Sequence, residues 1–266
     1  PDALRRAFWV VGGLALFLGL IGLVKLEERL NTGSLASESY SWKILGSEIL
    51  ASRQATLFFV YLVILLAALL GQDILLEPFG GEAFGLTVKQ TTRITSIWGV
   101  CVLAALLIAG ALEGRTPKRN VAKIGGWGAL SGFVFIAVSG LLQNSGVFYT
   151  GVVLLGVGTG LSTVANLSLM LDMTTADKVG LFIGAWGMAN AISRLIGSIL
   201  GGMVRDLVTQ IVGNAVIGYA LVFGIMAVLM LASLLMLRRV DTQVFRQEVK
   251  GDASLIERVA VASEAS

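Results

Sequence analysis

Apolar residues fall in seven long runs, Ala7–Leu26, Ala55–Leu76, Thr92–Leu112, Val121–Leu142, Val147–Leu171, Val179–Val204 and Ala215–Leu237, separated by short polar stretches. A helix needs about 20 apolar residues to cross the hydrocarbon of a bilayer, and each run reaches roughly that length. The pattern predicts an all-α polytopic membrane protein with seven transmembrane helices. The sixth run reads VGLFIGAWGMANAISRLIGSILGGMVR from Val179 to Arg205. Its small and polar residues are Gly180, Gly184, Gly187, Asn190, Arg194, Gly197 and Gly201, in steps of three and four. On a helix they form one stripe, and glycines on one side let another backbone come close. Arg194 lies near the middle of that stripe. A guanidinium at that depth costs at least about 2.5 kcal/mol on insertion scales, so it needs a partner or a water-filled cavity.

The polar stretches divide the chain into four parts. Residues 1–26 hold the first helix, 27–54 a long connection, 55–239 a six-helix bundle, and 240–266 a polar tail, solvated and partly disordered beyond Lys250. Within the connection, Trp42, Leu45 and Ile49 recur at helical spacing, which predicts a short helix lying at the membrane interface; an irregular linker is the alternative.

Composition narrows the class. The 266 residues are 56% hydrophobic and 14% charged, where a soluble domain carries about 25% charged residues. Thirty-three glycines against three prolines fit helices packed through small residues rather than a β-barrel. There is no histidine, so the commonest general base and metal ligand is missing, and the single cysteine, Cys101, excludes an internal disulfide. With no nucleophile–base constellation and no cofactor fingerprint, an enzyme is the least favoured class. The net charge of +3 belongs to lysines and arginines at membrane edges and does not indicate nucleic-acid binding. If the loop Glu113–Asn120 is cytoplasmic, alternation puts fourteen of the twenty basic residues on that side and five opposite, with Arg194 embedded. The positive-inside rule then places the C-terminus in the cytoplasm.

One helix, a long linker, then six helices is what remains when the first five helices of a twelve-helix transporter are removed. The chain is therefore expected to be part of a longer protein. The loop from Gly110 through Glu113, Gly114, Arg115, Pro117 and Lys118 to Arg119 resembles the cytoplasmic loop signature of the major facilitator superfamily. Gly110 would allow close helix contact. Arg115, Lys118 and Arg119 can pair with Glu113, with the last carbonyls of a helix, or with lipid phosphates. Asp172, in the turn Leu171–Lys178, is a further candidate partner, for Arg115. In that turn Thr174 or Thr175 would cap the next helix, with Asp177 near its positive end. A plain basic loop obeying positive-inside would explain the charges but not the glycine–acid–base spacing.

The second run ends in GQDILLEPFGGEAFGLTVKQTTRIT, Gly71 to Thr95. Asp73 and Glu77 are four apart and are expected to share a helix face, with Pro78, Gly80 and Gly81 ending the helix. Glu82, Lys89 and Arg93 follow. Carboxylates this close to hydrocarbon point into the bundle or an aqueous vestibule; the alternative for all three acids, and for Glu82 above all, is pairing with Lys89 or Arg93 at headgroup level. The GVGTG of Gly156 to Gly160 lies inside an apolar run and is expected to serve helix packing rather than nucleotide binding.

The strings QDILLEPFGGEAFGLTVKQTT and VGLFIGAWGMANAISRLIGSILGG resemble the PucC, or bacteriochlorophyll-delivery, family within the major facilitator superfamily, from about Ala55 to Arg239. The resemblance implies the facilitator fold, with helices six to twelve present. It also implies a role in assembling light-harvesting or photosystem chlorophyll proteins by delivering or shielding chlorophyll or bacteriochlorophyll, held as cargo. Such proteins work without catalysis in a thylakoid or bacterial inner membrane, with pigment-synthesis enzymes as further partners beside the lipid bilayer. Without histidine, a chlorophyll magnesium would need hard oxygen ligands. Gln72, Asp73, Glu77, Asn166 and Asn190 are the candidates, with Arg194 neutralising Asp73 or Glu77. A purely structural ion pair and ordinary glycine packing remain alternative explanations of the same residues. The competing function is a proton-coupled secondary transporter of an organic solute, using Asp73, Glu77 and Arg194.

Overall fold

A computed structural model describes residues 2–23, 53–173 and 179–240. The proposed interfacial helix, the caps at Thr174 and Thr175 and the polar tail lie outside these residues. The chain divides into two compact units, Pro1–Ser39 and Tyr40–Ser266. The first contains helix α1, Asp2–Leu23, with an apolar stretch at Gly12–Ile21. The second contains α2 (Arg53–Gly71), α3 (Leu76–Phe84), α4 (Val88–Leu112), α5 (Lys118–Leu142), α6 (Ser145–Asp172), α7 (Val179–Val212) and α8 (Ala215–Leu237). Among the described residues, six helices are long and apolar enough to cross a membrane: α2, α4, α5, α6, α8 and, from Phe182, α7.

The bundle is held by glycines at backbone-to-backbone crossings. On α5 and α6, which run antiparallel, a Cβ on Gly158 would lie 2.3 Å from the Ala129 nitrogen, and one on Gly132 would lie 2.6 Å from the Leu155 nitrogen. The GVGTG segment is part of this. Gly156 meets the Trp98 carbonyl and Gly160 the Val102 carbonyl of α4, while Gly158 meets α5. Two faces of α6 thus pack through three glycines, Gly156 and Gly160 against α4 and Gly158 against α5. In hydrocarbon there is no hydrophobic force between helices, so close van der Waals contact supplies the association.

The polar ends are finished locally. Asn144 and Asn214 cap α6 and α8 with their side-chain oxygens, and Thr87 and Gln90 form a capping box at α4. Gly114, at φ +78°, makes the turn between α4 and α5. Gly110, expected to allow close contact, has open space around it, so the loop's geometry depends on Gly114.

The second apolar run departs most from expectation. Its helix does not run on to be ended by Pro78, Gly80 and Gly81. It stops at Gly71, turns through Gln72–Leu75 and restarts as α3, which contains all three residues. Proline has no N–H and its ring clashes with the carbonyl four residues back. For Pro78 that residue is Ile74, inside the turn. The turn is closed by Asp73 N–H to the Leu70 carbonyl and by Leu75 and Leu76 N–H to the Gln72 carbonyl. Residues 53–84 therefore form one kinked crossing beside the 34-residue α7.

Two substitutions separate the packing glycines from the open ones. Gly158→Leu is expected to cost at least about 3 kcal/mol through overpacking and to lower the thermal unfolding midpoint in detergent. Gly184→Ala, with nothing within 4 Å of its added Cβ, should leave that midpoint unchanged or raise it.

Candidate functional site

The site lies where the kink meets α7. The two elements run parallel. The Ser193 hydroxyl donates to the Val63 carbonyl at 2.9 Å, a Cβ on Gly71 would come within 2.9 Å of the Gly197 Cα, and one on Gly201 within 2.8 Å of Leu75. Gly201 also faces Met226 and Val222 at the middle of α8, so the kink lies at mid-crossing depth. The glycine stripe of α7 divides here. Gly197 and Gly201 are filled by α2 and Leu75, while Gly180, Gly184 and Gly187 have nothing within 4 Å.

Arg194 lies one turn before Gly197 and reaches the kink. Its Nη2 donates to Asp73 Oδ2 at 3.1 Å. The other carboxylate oxygen accepts from Gln72 Nε2 at 3.0 Å. Gln72 is 1% exposed, and its Oε1 has no partner. The side chains of Arg194 and Asp73 are 63% and 31% exposed, so the pair is reached from outside the bundle while Gln72 supports it from within.

Of the two carboxylates proposed for Arg194, the structure selects Asp73. The expected common face of Asp73 and Glu77 does not form, because the kink separates them. Glu77 accepts a hydrogen bond from the Thr95 hydroxyl on α4. Glu82, rather than meeting Lys89 or Arg93, accepts from the Tyr219 hydroxyl on α8 at 3.0 Å. Three successive acids thus go to three different helices. Asn190 is one turn from Arg194, but its Nδ2 donates to the Trp186 carbonyl. Asn166 is apart from the group. Its Oδ1 accepts from Tyr61 at 2.7 Å and its Nδ2 donates to the Ser162 carbonyl. The residues gathered are therefore Gln72, Asp73 and Arg194.

A second cluster escaped the sequence reading. Arg205 pairs with Asp206 at 3.1 Å, and its guanidinium lies 5.1 Å from the Tyr219 ring centroid, a cation–π distance. The signal was available: a tyrosine in an apolar run needs a partner for its hydroxyl, and both Tyr61 and Tyr219 find one on a distant helix.

At the loop end, Lys118 bridges Asp172 at 3.0 Å and Glu113 at 3.5 Å, and Ser168 donates to Glu113 at 3.3 Å. Asp172 thus meets Lys118, not Arg115, which is exposed. Arg119 donates through Nη2 to the carbonyls of Leu237, at 2.9 Å, and Arg238, covering the end of α8 as a cation should.

Comparison with known proteins agrees with this architecture. The model of the PUCC protein family matches residues 3–245. Protein PucC of Rhodobacter capsulatus is 34% identical over 168 residues, covering 61% of this chain and 36% of that protein. The bacteriochlorophyll synthase 44.5 kDa chain of the same species is 29% identical over 250 residues, covering 89% of this chain and 57% of its own length. The chain thus spans only about a third to just over half the length of these relatives. A crystal structure of the peptide transporter POT, an E310Q mutant in complex with sulfate, superposes with a TM-score of 0.57 at 21% identity, over 79% of this chain and 44% of that one. That likeness shows the fold, which is of the major facilitator type.

Two measurements test the geometry. Asp73→Asn leaves the Arg194 guanidinium unpaired, and destabilisation of about 2.5 kcal/mol is expected; the double variant Asp73→Asn, Arg194→Gln should recover most of it in thermal melts. Arg119→Ala removes a charge-assisted contact from the end of α8 and is expected to cost about 2 kcal/mol, with Arg119→Lys restoring only part.

Proposed function

Because the chain belongs to the PUCC protein family, we propose that it serves the assembly of light-harvesting or photosystem complexes by delivering or shielding chlorophyll or bacteriochlorophyll. The observation that carries this reading is the family match across residues 3–245. The protein acts in a thylakoid or bacterial inner membrane with its C-terminus in the cytoplasm. Its partners are the chlorophyll apoproteins, and pigment-synthesis enzymes hand over the cargo. No step of this role makes or breaks a covalent bond, so the work is binding and release.

Two features support a pigment-handling surface. Arg194 and Asp73 provide a neutral polar group at mid-crossing depth, where an isolated charge would be costly. Beside them the open glycines Gly184 and Gly187 leave a smooth surface for a flat apolar body. Asp73 and Asn190 supply oxygens of the kind that suits magnesium in the absence of histidine, with Gln72 holding Asp73 from within.

A second reading is favoured by one observation. The likeness to a peptide transporter, with an ion pair beside a helix kink, fits a proton-coupled carrier of an organic solute. An absorbance spectrum of the gently solubilised protein, with mass spectrometry of its companions, decides between them. The assembly reading expects chlorophyll absorbance and light-harvesting or photosystem polypeptides in the preparation. Absence of both, together with proton-coupled solute uptake in proteoliposomes, would establish the carrier instead.

A further inference from the structure

We infer that Gln72, Asp73 and Arg194 form a proton-coupled exchange site for the carboxylate of an amphipathic ligand, and that among tetrapyrroles it takes the unesterified acid, the form that precedes the esterified pigment, rather than the ester. The inference rests on the pigment reading only for the identity of the apolar body.

Charge balance comes first. The resting site holds one cation and one anion, Arg194 and Asp73, 3.1 Å apart. Arg194 gives one N–H to Asp73, and its remaining donors lie on a side chain that is 63% exposed. A carboxylate matches that fork of donors. Adding a second anion without a proton would leave a net charge at mid-crossing depth, which costs several kcal/mol. Protonating Asp73 removes it. The step balances as Asp73 carboxylate paired with Arg194, plus ligand carboxylate and one proton from solution, giving Asp73 carboxylic acid and Arg194 paired with the ligand. The proton leaves a hydronium ion or buffer acid, whose O–H or N–H bond breaks as the O–H on Asp73 forms; no other covalent bond changes.

The unpartnered buried atom supplies the second observation. Gln72 is 1% exposed and its Oε1 has no partner, a cost of about 1–3 kcal/mol if it served nothing. An ionised carboxylate only accepts hydrogen bonds, whereas the acid also donates one. The Gln72 amide serves both forms: its N–H meets the carboxylate, as seen at 3.0 Å, and its oxygen, with the amide turned over, accepts from the acid. A leucine or methionine there would serve neither.

The surroundings leave Asp73 to this equilibrium. Of the charged groups on the elements packed against the kink, Arg194 on α7 is the one that faces it. Arg205 and Asp206 on α7 pair with each other, Glu77 meets Thr95 on α4, and Glu82 meets Tyr219 on α8. Tyr61 on α2 is bonded to Asn166, and Lys89 and Arg93 on α4 and Arg53 at the start of α2 are exposed. The ligand's apolar part has a place on the same side of α7. Gly187 and Gly184 lie two and three turns from Arg194 with nothing within 4 Å of either, about 15 Å of open helix.

The test uses the whole chain in lipid nanodiscs with three probes: pheophorbide a (a magnesium-free tetrapyrrole acid), its methyl ester, and palmitate. Removing the metal leaves the carboxylate as the difference between the first two. Pheophorbide a is expected to bind at least about tenfold tighter than the ester, with one proton taken up per molecule bound, read by calorimetry in buffers of different ionisation enthalpy. Its affinity should fall about tenfold per pH unit where Asp73 of the empty site is ionised, since binding gains a proton. Arg194→Gln should abolish the acid-over-ester preference, and Arg194→Lys should retain it in part. Asp73→Asn should bind the acid with no pH dependence, and the wild-type proton count stands even if that variant fails to fold. Equal binding of acid and ester without proton uptake overturns the exchange site and leaves the pigment reading intact. If neither pigment binds but palmitate does with one proton, the pigment reading falls and the exchange site stands. If no probe binds with proton uptake, the exchange site falls.

Discussion

A guanidinium halfway along a membrane-crossing helix must be neutralised, and much of this bundle is arranged so that it is. Arg194 cannot be matched by a residue of its own helix, because α7 carries no acid within a turn or two of it. The counter-charge comes from the neighbouring crossing, at a point where that crossing is bent. Pro78 removes a backbone donor and crowds the Ile74 carbonyl, so the chain turns at Gln72–Leu75 and brings Asp73 to Arg194. The contact of Gly71 with Gly197 fixes the two helices at backbone distance. Proline, glycine pair and ion pair are thus three parts of one local solution.

How much of this was legible depended on which force set each feature. The last helix, Ala215–Leu237, coincides with its apolar run, because an asparagine cap at Asn214 and two arginines at Arg238 and Arg239 bound it where hydropathy also changes. The helix from Val179 continues past Arg205 to Val212, since polar residues end an apolar pattern without ending a hydrogen-bond ladder. The second helix ends earlier than Pro78, Gly80 and Gly81 suggest for a different reason. Pro78 marks the sequence where the ring is, but its effect falls on the carbonyl one turn earlier. A reading that counts back four residues from a proline would have put Asp73 in the turn and Glu77 beyond it.

The partners of charged side chains were less legible than the charges themselves. The stripe of α7 foretold that Arg194 needed an acid, and two candidates were in view. Choosing between them required the bend. At the loop end, the expectation that basic residues would meet Glu113 and a helix terminus corresponds to the contacts of Lys118 and Arg119, yet Asp172 meets Lys118 rather than Arg115. Both lysine and arginine were available within the same turn. The selection follows from Lys118 opening α5 beside the end of α6, which no one-dimensional pattern records.

The nine-residue α3 has a mechanical consequence. From the kink to its far end, one acid is tied to α7, the next to α4 and the third to α8. The rod itself is fastened at two of these points, and Asp73 fastens the turn that leads into it, so it cannot tilt without lengthening at least one fastening. Whatever displaces any of those long helices is therefore transmitted through this strut to the other two, so the segment works as a crosspiece that makes separate columns respond as one frame.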